Sequence, residues 1–282
     1  MAKKNVVLMD GAVGTSLWEK SEDKVPVWRY NLEKPEIVSE LHHEYIAAGS
    51  KIILANTFGA NGTAVSKSSS YTVKNVVSTG VKLAKAAAAG TDVKVALAIG
   101  PLMGLLEPYG DISEANAVKL FEEQIGSGMD EKPDLIYLQT FIDIEMLKIA
   151  AKIARQYDVP LFCSMSFEKK GRTIMGNSVR QMLDELEVYH PDAVGLNCSL
   201  GPDLAMPVIK QFTEMTERPV LFKPNAGKPI GSGNSSAASF DVETFVNDIL
   251  PAVDLGISYI GGCCGSNARY IKRLDEKLKE MA

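Results

Sequence analysis

The sequence has no run of the roughly 18 to 20 apolar residues that a membrane helix needs, because polar or charged residues interrupt every apolar stretch. No membrane role is expected. It also lacks an excess of positive charge: 30 Lys and Arg face 35 Asp and Glu, a formal net charge of −5, with the basic residues scattered singly. Binding along a phosphate backbone is therefore not expected, and nucleic acid is not an expected partner. Cysteine is scarce, with four in 282 residues, and two of them, Cys263 and Cys264, are adjacent, where a mutual disulfide would be strained. That excludes a disulfide-stapled scaffold and turns attention to metal or catalytic roles for the thiols. The N-terminal MAKKNVVLMDGAVGT carries lysines and a short apolar run, but Asp10 breaks the run and no Ala-x-Ala-like cleavage site follows. A cytoplasmic protein is expected. No Gly-x-Gly-x-x-Gly turn follows the first apolar run, which weighs against a dinucleotide site.

What the sequence does contain is alternation. Short, β-branched apolar runs occur at 6–10, 51–58, 93–100, 135–141, 160–167, 193–200, 219–225 and 257–264. They are continuous more than alternating, as parallel strands covered on both faces should be, and helix-length periodic segments separate them. The segment 35–49 is an example, with Pro35 at its start and Gly49 where a C-cap belongs. Another spans 241–256. Eight such units predict an α/β protein, a single (β/α)8 TIM barrel over 1–282 with no interdomain linker. A doubly wound open sheet would show the same alternation, although the count favours the barrel. The least structured stretches, 59–70, 104–113 and 227–239, follow strands and would lie at the C-terminal rim, where barrel sites form.

Cys198 ends the sixth apolar run and Cys263 with Cys264 ends the eighth, so a closed barrel would bring the three sulfurs to one rim. Three thiolates suit a soft ion that prefers tetrahedral ligation, such as zinc, and leave one position open. Spacing alone leaves metal ligation and simple packing equally open; the flanking Gly195, Gly201, Gly261, Gly262 and Gly265 favour convergence by freeing the backbone to bend. Cys163, inside its run, reads as a small buried hydrophobe. His42, His43 and His190 read as surface or helix-packing residues, and Trp18, Trp28 and Tyr30 as packing of the connection after the first strand. Asp10 and the small-residue turn Gly11, Ala12, Val13, Gly14 and Thr15 could bind a carboxylate through backbone N–H groups, or could be a tight connection with Asp10 as a cap. Asn56, Thr57, Gln139, Ser166, Phe167 and Asn225 sit at strand ends, as candidate pocket groups or as local backbone partners.

Taken together, LMDGAVGTSL at 8–17, ANTFGAN at 55–61, GLNCSLGP at 195–202, KPNAGKP at 223–229 and GGCCGS at 261–266 resemble the homocysteine S-methyltransferase family. The likeness runs nearly end to end and is greatest to the homocysteine-binding module of its cobalamin-dependent branch. The resemblance implies a barrel methyltransferase with zinc on Cys198, Cys263 and Cys264, the thiol of a small-molecule substrate becoming the fourth ligand. It also implies substrate contacts from Asp10, Gly11, Ala12, Asn56, Thr57, Gln139, Ser166, Phe167 and Asn225. At one position the chain departs from the family, which usually has a glutamate before the threonine of YLQTF, where this chain has Gln139; an amide loses the charge-assisted part of a bond to an ammonium. A methylated corrinoid, S-methylmethionine and betaine are the donors the resemblance allows. The GRTIMG and PNAG stretches favour the corrinoid, and with no Asp-x-His-x-x-Gly signature in the chain, methylcobalamin would arrive on a separate corrinoid protein. A non-catalytic zinc or thiol redox protein, and a barrel lyase using Lys223, are the rival readings.

Overall fold

In the computed structural model, residues 6–227 and 240–281 are described, so that of the expected rim stretch 227–239 all but Gly227 lies outside the described residues. Eight strands follow one another in the chain: β1 (Val7–Leu8), β2 (Ile52–Leu54), β3 (Lys94–Ile99), β4 (Leu135–Phe141), β5 (Leu161–Met165), β6 (Ala193–Asn197), β7 (Val220–Lys223) and β8 (Tyr259–Ile260). All pair in parallel, in the order β1-β8-β7-β6-β5-β4-β3-β2. A parallel bridge between Met9 and Ile52 joins the two ends. The result is the expected (β/α)8 barrel. No described helix is long and apolar enough to cross a membrane.

Side-chain size explains how the barrel fills. Along β3, Val95, Leu97 and Ile99 join the large cluster between sheet and helices, whereas Ala96 and Ala98 face the smaller cluster inside the barrel. These alanines, with Ala193, leave the interior to Tyr137 and Phe162, and Phe162 packs against Tyr259 in a tilted pair with ring centroids 4.6 Å apart. Gly195 is required for another reason: a Cβ there would lie 1.9 Å from the carbonyl oxygen of Leu221, so β6 and β7 could not keep their spacing.

The helices begin where capping side chains stand. Ser113, Asp143, Ser178 and Asp241 each accept a hydrogen bond from a backbone N–H in the first turn of the helix that follows. Two details differ from the sequence reading. The stretch 59–70 contains the helix Gly62–Ser68, because Asn61 caps it by accepting from Ala64 N. The segment 241–256 is not one helix but two, Val242–Ile249 and Pro251–Asp254, because Pro251 has no N–H to continue the first.

Candidate active site

At the end of β6 the chain passes through two residues with left-handed backbone, Cys198 (φ 64°) and Ser199 (φ 60°). Neither is glycine, so the turn is strained and its surroundings must hold it. Cys198 N donates to Lys223 O at 3.1 Å, and Leu200 N donates to Cys198 O at 2.8 Å. Beyond β8, Gly262 N donates to Asp10 O (3.1 Å) and Cys263 N to Pro224 O (2.8 Å), while Cys264 O accepts from Ala226 N (2.8 Å). These bonds pin the second cysteine pair against β1 and β7, facing β6. The ligand atoms of Cys198, Cys263 and Cys264 all lie within 4.8 Å of one another, and Cys198 Sγ is 3.8 Å from Cys264 Sγ.

That separation allows a test of fit. Zinc–sulfur bonds of about 2.3 Å in a tetrahedron place neighbouring sulfurs about 3.8 Å apart, so the donor set fits zinc in chemistry and the Cys198–Cys264 pair fits it in spacing. The thiols also share charge. Hydrogen bonds from Cys198 and Cys264, helped by the Lys223 charge and the Asn197 amide, hold the Cys263 thiol well below its ordinary range. Its hydrogen bond with Cys263 pushes Cys198 up to about 12, and hydrogen bonds with Cys198 and then Cys263, with burial, push Cys264 up as well. The thiols thus share their protons unequally, with Cys263 the readiest to ionise, and a dication must displace the remaining protons to bind all three.

Asn197, the last residue of β6, ties this cluster to the barrel interior. Its Nδ2 donates to Cys263 Sγ at 3.7 Å and to Thr140 Oγ1 at 2.7 Å. Its Oδ1 accepts from Thr140 N at 2.7 Å and from Ser164 Oγ at 2.5 Å. With the Ser164 proton so directed, Tyr137 donates its hydroxyl to Ser164 Oγ at 2.8 Å. All four hydrogen-bonding sites of the amide are engaged, which fixes its orientation toward Cys263.

Next to the sulfurs lies a buried ion pair. Lys223 Nζ donates to Asp10 Oδ1 and to Asp10 O, each at 2.6 Å, and Asp10 Oδ2 accepts from Leu54 N at 2.7 Å. Burial pushes the Asp10 carboxyl up, and Lys223 opposes that shift. A cavity of about 340 Å³ opens beside both clusters. Cys198, Cys263, Cys264 and Lys223 line it, together with the turn Gly11–Thr15, Trp18, Val27, Leu54, Asn56, Phe58, Gln139 and Thr140. The turn leads into α1 (Val13–Lys20), whose N-cap Ala12 offers no capping side chain and whose first turn holds no acid. Tyr45 OH donates to Ala12 O (2.7 Å), and Ala12 N donates to Ser266 O (3.2 Å), so this turn is braced by the segment after β8.

Of the residues singled out in the sequence, Gly11, Ala12, Asn56, Gln139 and the three cysteines line the cavity. Asp10, Thr57, Ser166, Phe167 and Asn225 do not. Thr57 Oγ1 donates to Ala98 O, Ser166 Oγ donates to Asn197 O, and Phe167 packs edge-on against Phe212. Asn225 donates its backbone N–H to Leu200 O, and its buried Oδ1 has no partner among the described residues. Cys163 is buried as expected, and burial pushes its thiol up. Trp28 and Tyr30 pack in the core, whereas Trp18 faces the cavity. His42 is fully buried with no hydrogen bond to either ring nitrogen, and burial pushes it down to about 4. Sequence reasoning missed Asn197 as the anchor of Cys263 and Lys223 as the partner of Asp10. The signal for Lys223 was available, since a lysine closes an otherwise apolar strand.

Comparison with known proteins places these features. The profile of the family described as homocysteine S-methyltransferase matches residues 7–278. The chain is 25% identical to a methionine synthase of Mycobacterium leprae and 24% identical to that of Mycobacterium tuberculosis, over 96% of its own length in each case. It spans 24% of either methionine synthase. Among solved structures, the metallated form of the homocysteine methyltransferase MmuM from Escherichia coli matches with a TM-score of 0.80 and 21% identity, over 98% of this chain and 97% of that one. The oxidized form of the same protein matches with a TM-score of 0.82 and 20% identity. These likenesses in structure are likenesses of fold.

Proposed function

The chain belongs to the homocysteine S-methyltransferase family and is a methyltransferase enzyme; from that premise we propose that it moves a methyl group onto the sulfur of a small-molecule thiol, homocysteine or a related one, with zinc held by Cys198, Cys263 and Cys264. The observation that carries the reading is the convergence of three sulfurs within 4.8 Å at the wall of a cavity large enough for a small molecule. Residues 1–282 work in this reading as one barrel unit. Zinc bound there supplies a Lewis acid that lowers the pKa of an incoming thiol from about 8.5, favouring the thiolate near neutral pH.

The chain's own residues prepare the reaction. Asn197 holds Cys263 in place, and the Thr140 and Ser164 hydrogen bonds hold Asn197. Val13, Trp18, Val27 and Leu54 form an apolar wall that excludes water from the reacting atoms. Asn56, Gln139 and the N–H groups at the start of α1 are the groups that orient the rest of the substrate, with Thr57, Ser166, Phe167 and Asn225 supporting the cavity wall from behind. The thiolate sulfur gives an electron pair to the methyl carbon, and the donor keeps the pair of the bond that breaks. Holding the two in line supplies much of the acceleration.

The donor in this reading is a methylated corrinoid, methylcobalamin, carried by a partner protein. Met103, Tyr109 and Ile174 support it: they are 78%, 76% and 74% exposed on segments leaving the C-terminal ends of β3 and β5, where a docked protein would cover them. The cavity volume favours the second reading, direct use of S-methylmethionine or another small donor. We place the enzyme in the cytoplasm, where reducing conditions keep neighbouring thiols free. The test is to measure zinc in the purified protein and to follow methyl transfer to thiols from methylcobalamin, a methylated corrinoid protein and S-methylmethionine by mass spectrometry. About one zinc per chain and a methylated thiol are expected. Zinc without transfer from any donor would favour a non-catalytic zinc or redox protein. Zinc retained by the Cys198, Cys263 and Cys264 triple alanine variant would sink the site.

A further inference from the structure

An amino-acid thiol brings an ammonium group into whatever cavity receives it. Removing that charge from water is costly unless a carboxylate or several aligned acceptors replace the water. The cavity beside the sulfurs has no Asp or Glu in its lining. Asp10 lies just behind it, but both carboxylate oxygens are engaged, one by Lys223 Nζ and the other by Leu54 N, and Lys223 neutralises its charge. Residues 1–5, 228–239 and 282 contain no Asp or Glu either, so the segments outside the described residues supply no acidic side chain. With zinc the three thiolates would keep a net charge of about −1, but that charge sits on the sulfurs where the substrate thiol enters and supplies no carboxylate to pair with an ammonium.

The groups that do face the cavity are suited to the opposite charge. The Lys223 ammonium lines it, but its charge and that of Asp10 balance, so the pair leaves no net negative charge there to hold an ammonium. Gln139 lines it, is 8% exposed, and its side-chain amide has no hydrogen bond among the described residues. The first turn of α1 opens onto it without a capping side chain or an acid, leaving N–H groups for an anion. An amide donor and backbone donors together fit a carboxylate, and the lining holds no free carboxylate to receive a cation.

We propose that the acceptor is a thiol without an ammonium group, of the mercapto-acid class; this rests on the thiol-transfer reading above. L-homocysteine and γ-mercaptobutyrate differ by that one group, so the pair isolates it. Binding of each to the zinc-loaded protein is measured by calorimetry, alongside zinc content. The wild type is expected to bind γ-mercaptobutyrate at least as tightly as L-homocysteine. In Gln139→Glu the ratio of affinities is expected to move roughly tenfold to a hundredfold toward homocysteine, the size of one charge-assisted hydrogen bond. A wild-type preference for L-homocysteine overturns the proposal, as does an unchanged ratio in Gln139→Glu. If that variant does not fold, the wild-type ratio decides alone. A protein that holds zinc and binds neither thiol removes the thiol-transfer reading and this inference with it, and so is distinguishable from a preference for homocysteine.

Discussion

At the mouth of the barrel two clusters sit side by side, the half-buried sulfurs of Cys198, Cys263 and Cys264 and the buried ion pair of Asp10 with Lys223. Both are built from strand ends, and both gather charge where water is scarce. The ion pair closes on itself: Lys223 reaches two oxygens of Asp10, and the remaining carboxylate oxygen accepts from Leu54 N. The sulfur cluster does not close. Its members bond mainly to one another and to one amide while lining an open cavity, and one of them is held toward the thiolate state. A satisfied cluster stabilises or specifies a structure, whereas an unsatisfied one beside a cavity is where chemistry is to be sought.

The contrast can be broken most severely at the sulfurs. Cys264→Ala should weaken zinc binding by roughly a thousandfold, about a third of the ~10 to 16 kcal/mol that a structural zinc contributes. Methyl transfer should be lost with it while the far-ultraviolet circular dichroism stays native. Zinc titration against a chelator checks the first effect. The ion pair should answer in the reverse way. Lys223→Met leaves the Asp10 charge buried without its partner and should cost about 3–5 kcal/mol in denaturant unfolding, and the double variant Asp10→Asn with Lys223→Met should recover most of that loss. A Lys223→Met protein of unchanged stability would show that the pair is not satisfied as described.

His42 extends the comparison to a buried polar group with no hydrogen-bond partner among the described residues. Burial, with a smaller contribution from His43, pushes its pKa down from 6.5 to about 4. Between those values the unfolded chain binds the proton and the folded chain does not, so stability is full above about pH 6.5 and falls as the pH drops toward 4. The loss should approach about 3 kcal/mol, and His42→Leu should flatten that part of the stability–pH curve. The smallest effect should come from Asn197→Ala, which leaves all three sulfurs in place and removes the amide that orients Cys263. It should lower zinc affinity roughly tenfold to a hundredfold, as changes behind a metal ligand do.

Much of this was legible before any coordinates. Continuous apolar runs fixed eight strands because parallel strands buried on both faces need them, and the cysteines at 198, 263 and 264 sit where two of those runs end. The cavity-lining turn at 11–15 was legible for the same reason. What could not be read was the direction of each side chain at a strand end. Thr57 and Ser166 are polar and correctly placed along the chain, yet each donates to a neighbouring strand's carbonyl and faces away from the cavity. Asp10 looked available because its partner lies 213 residues away in sequence. No local pattern carries a contact of that separation. The helix at 62–68 was missed because Ser, Gly and Thr dominate it, and one capping amide at Asn61 outweighed their weak propensity.

The brace between the two ends of the barrel has a consequence for how the enzyme comes into being. Gly262 N reaches Asp10 O, Ala12 N reaches Ser266 O, and Gly265 N reaches Thr15 Oγ1 at 3.2 Å. Residues 10–15 leave the ribosome well before residues 262–266 do. Until the final strand docks, the turn at α1 has no brace and two of the three sulfurs do not yet exist in the growing chain. A barrel made only as far as β7 therefore holds a single cysteine of the three, and the three-sulfur set is completed in one step, as β8 docks and the ring shuts.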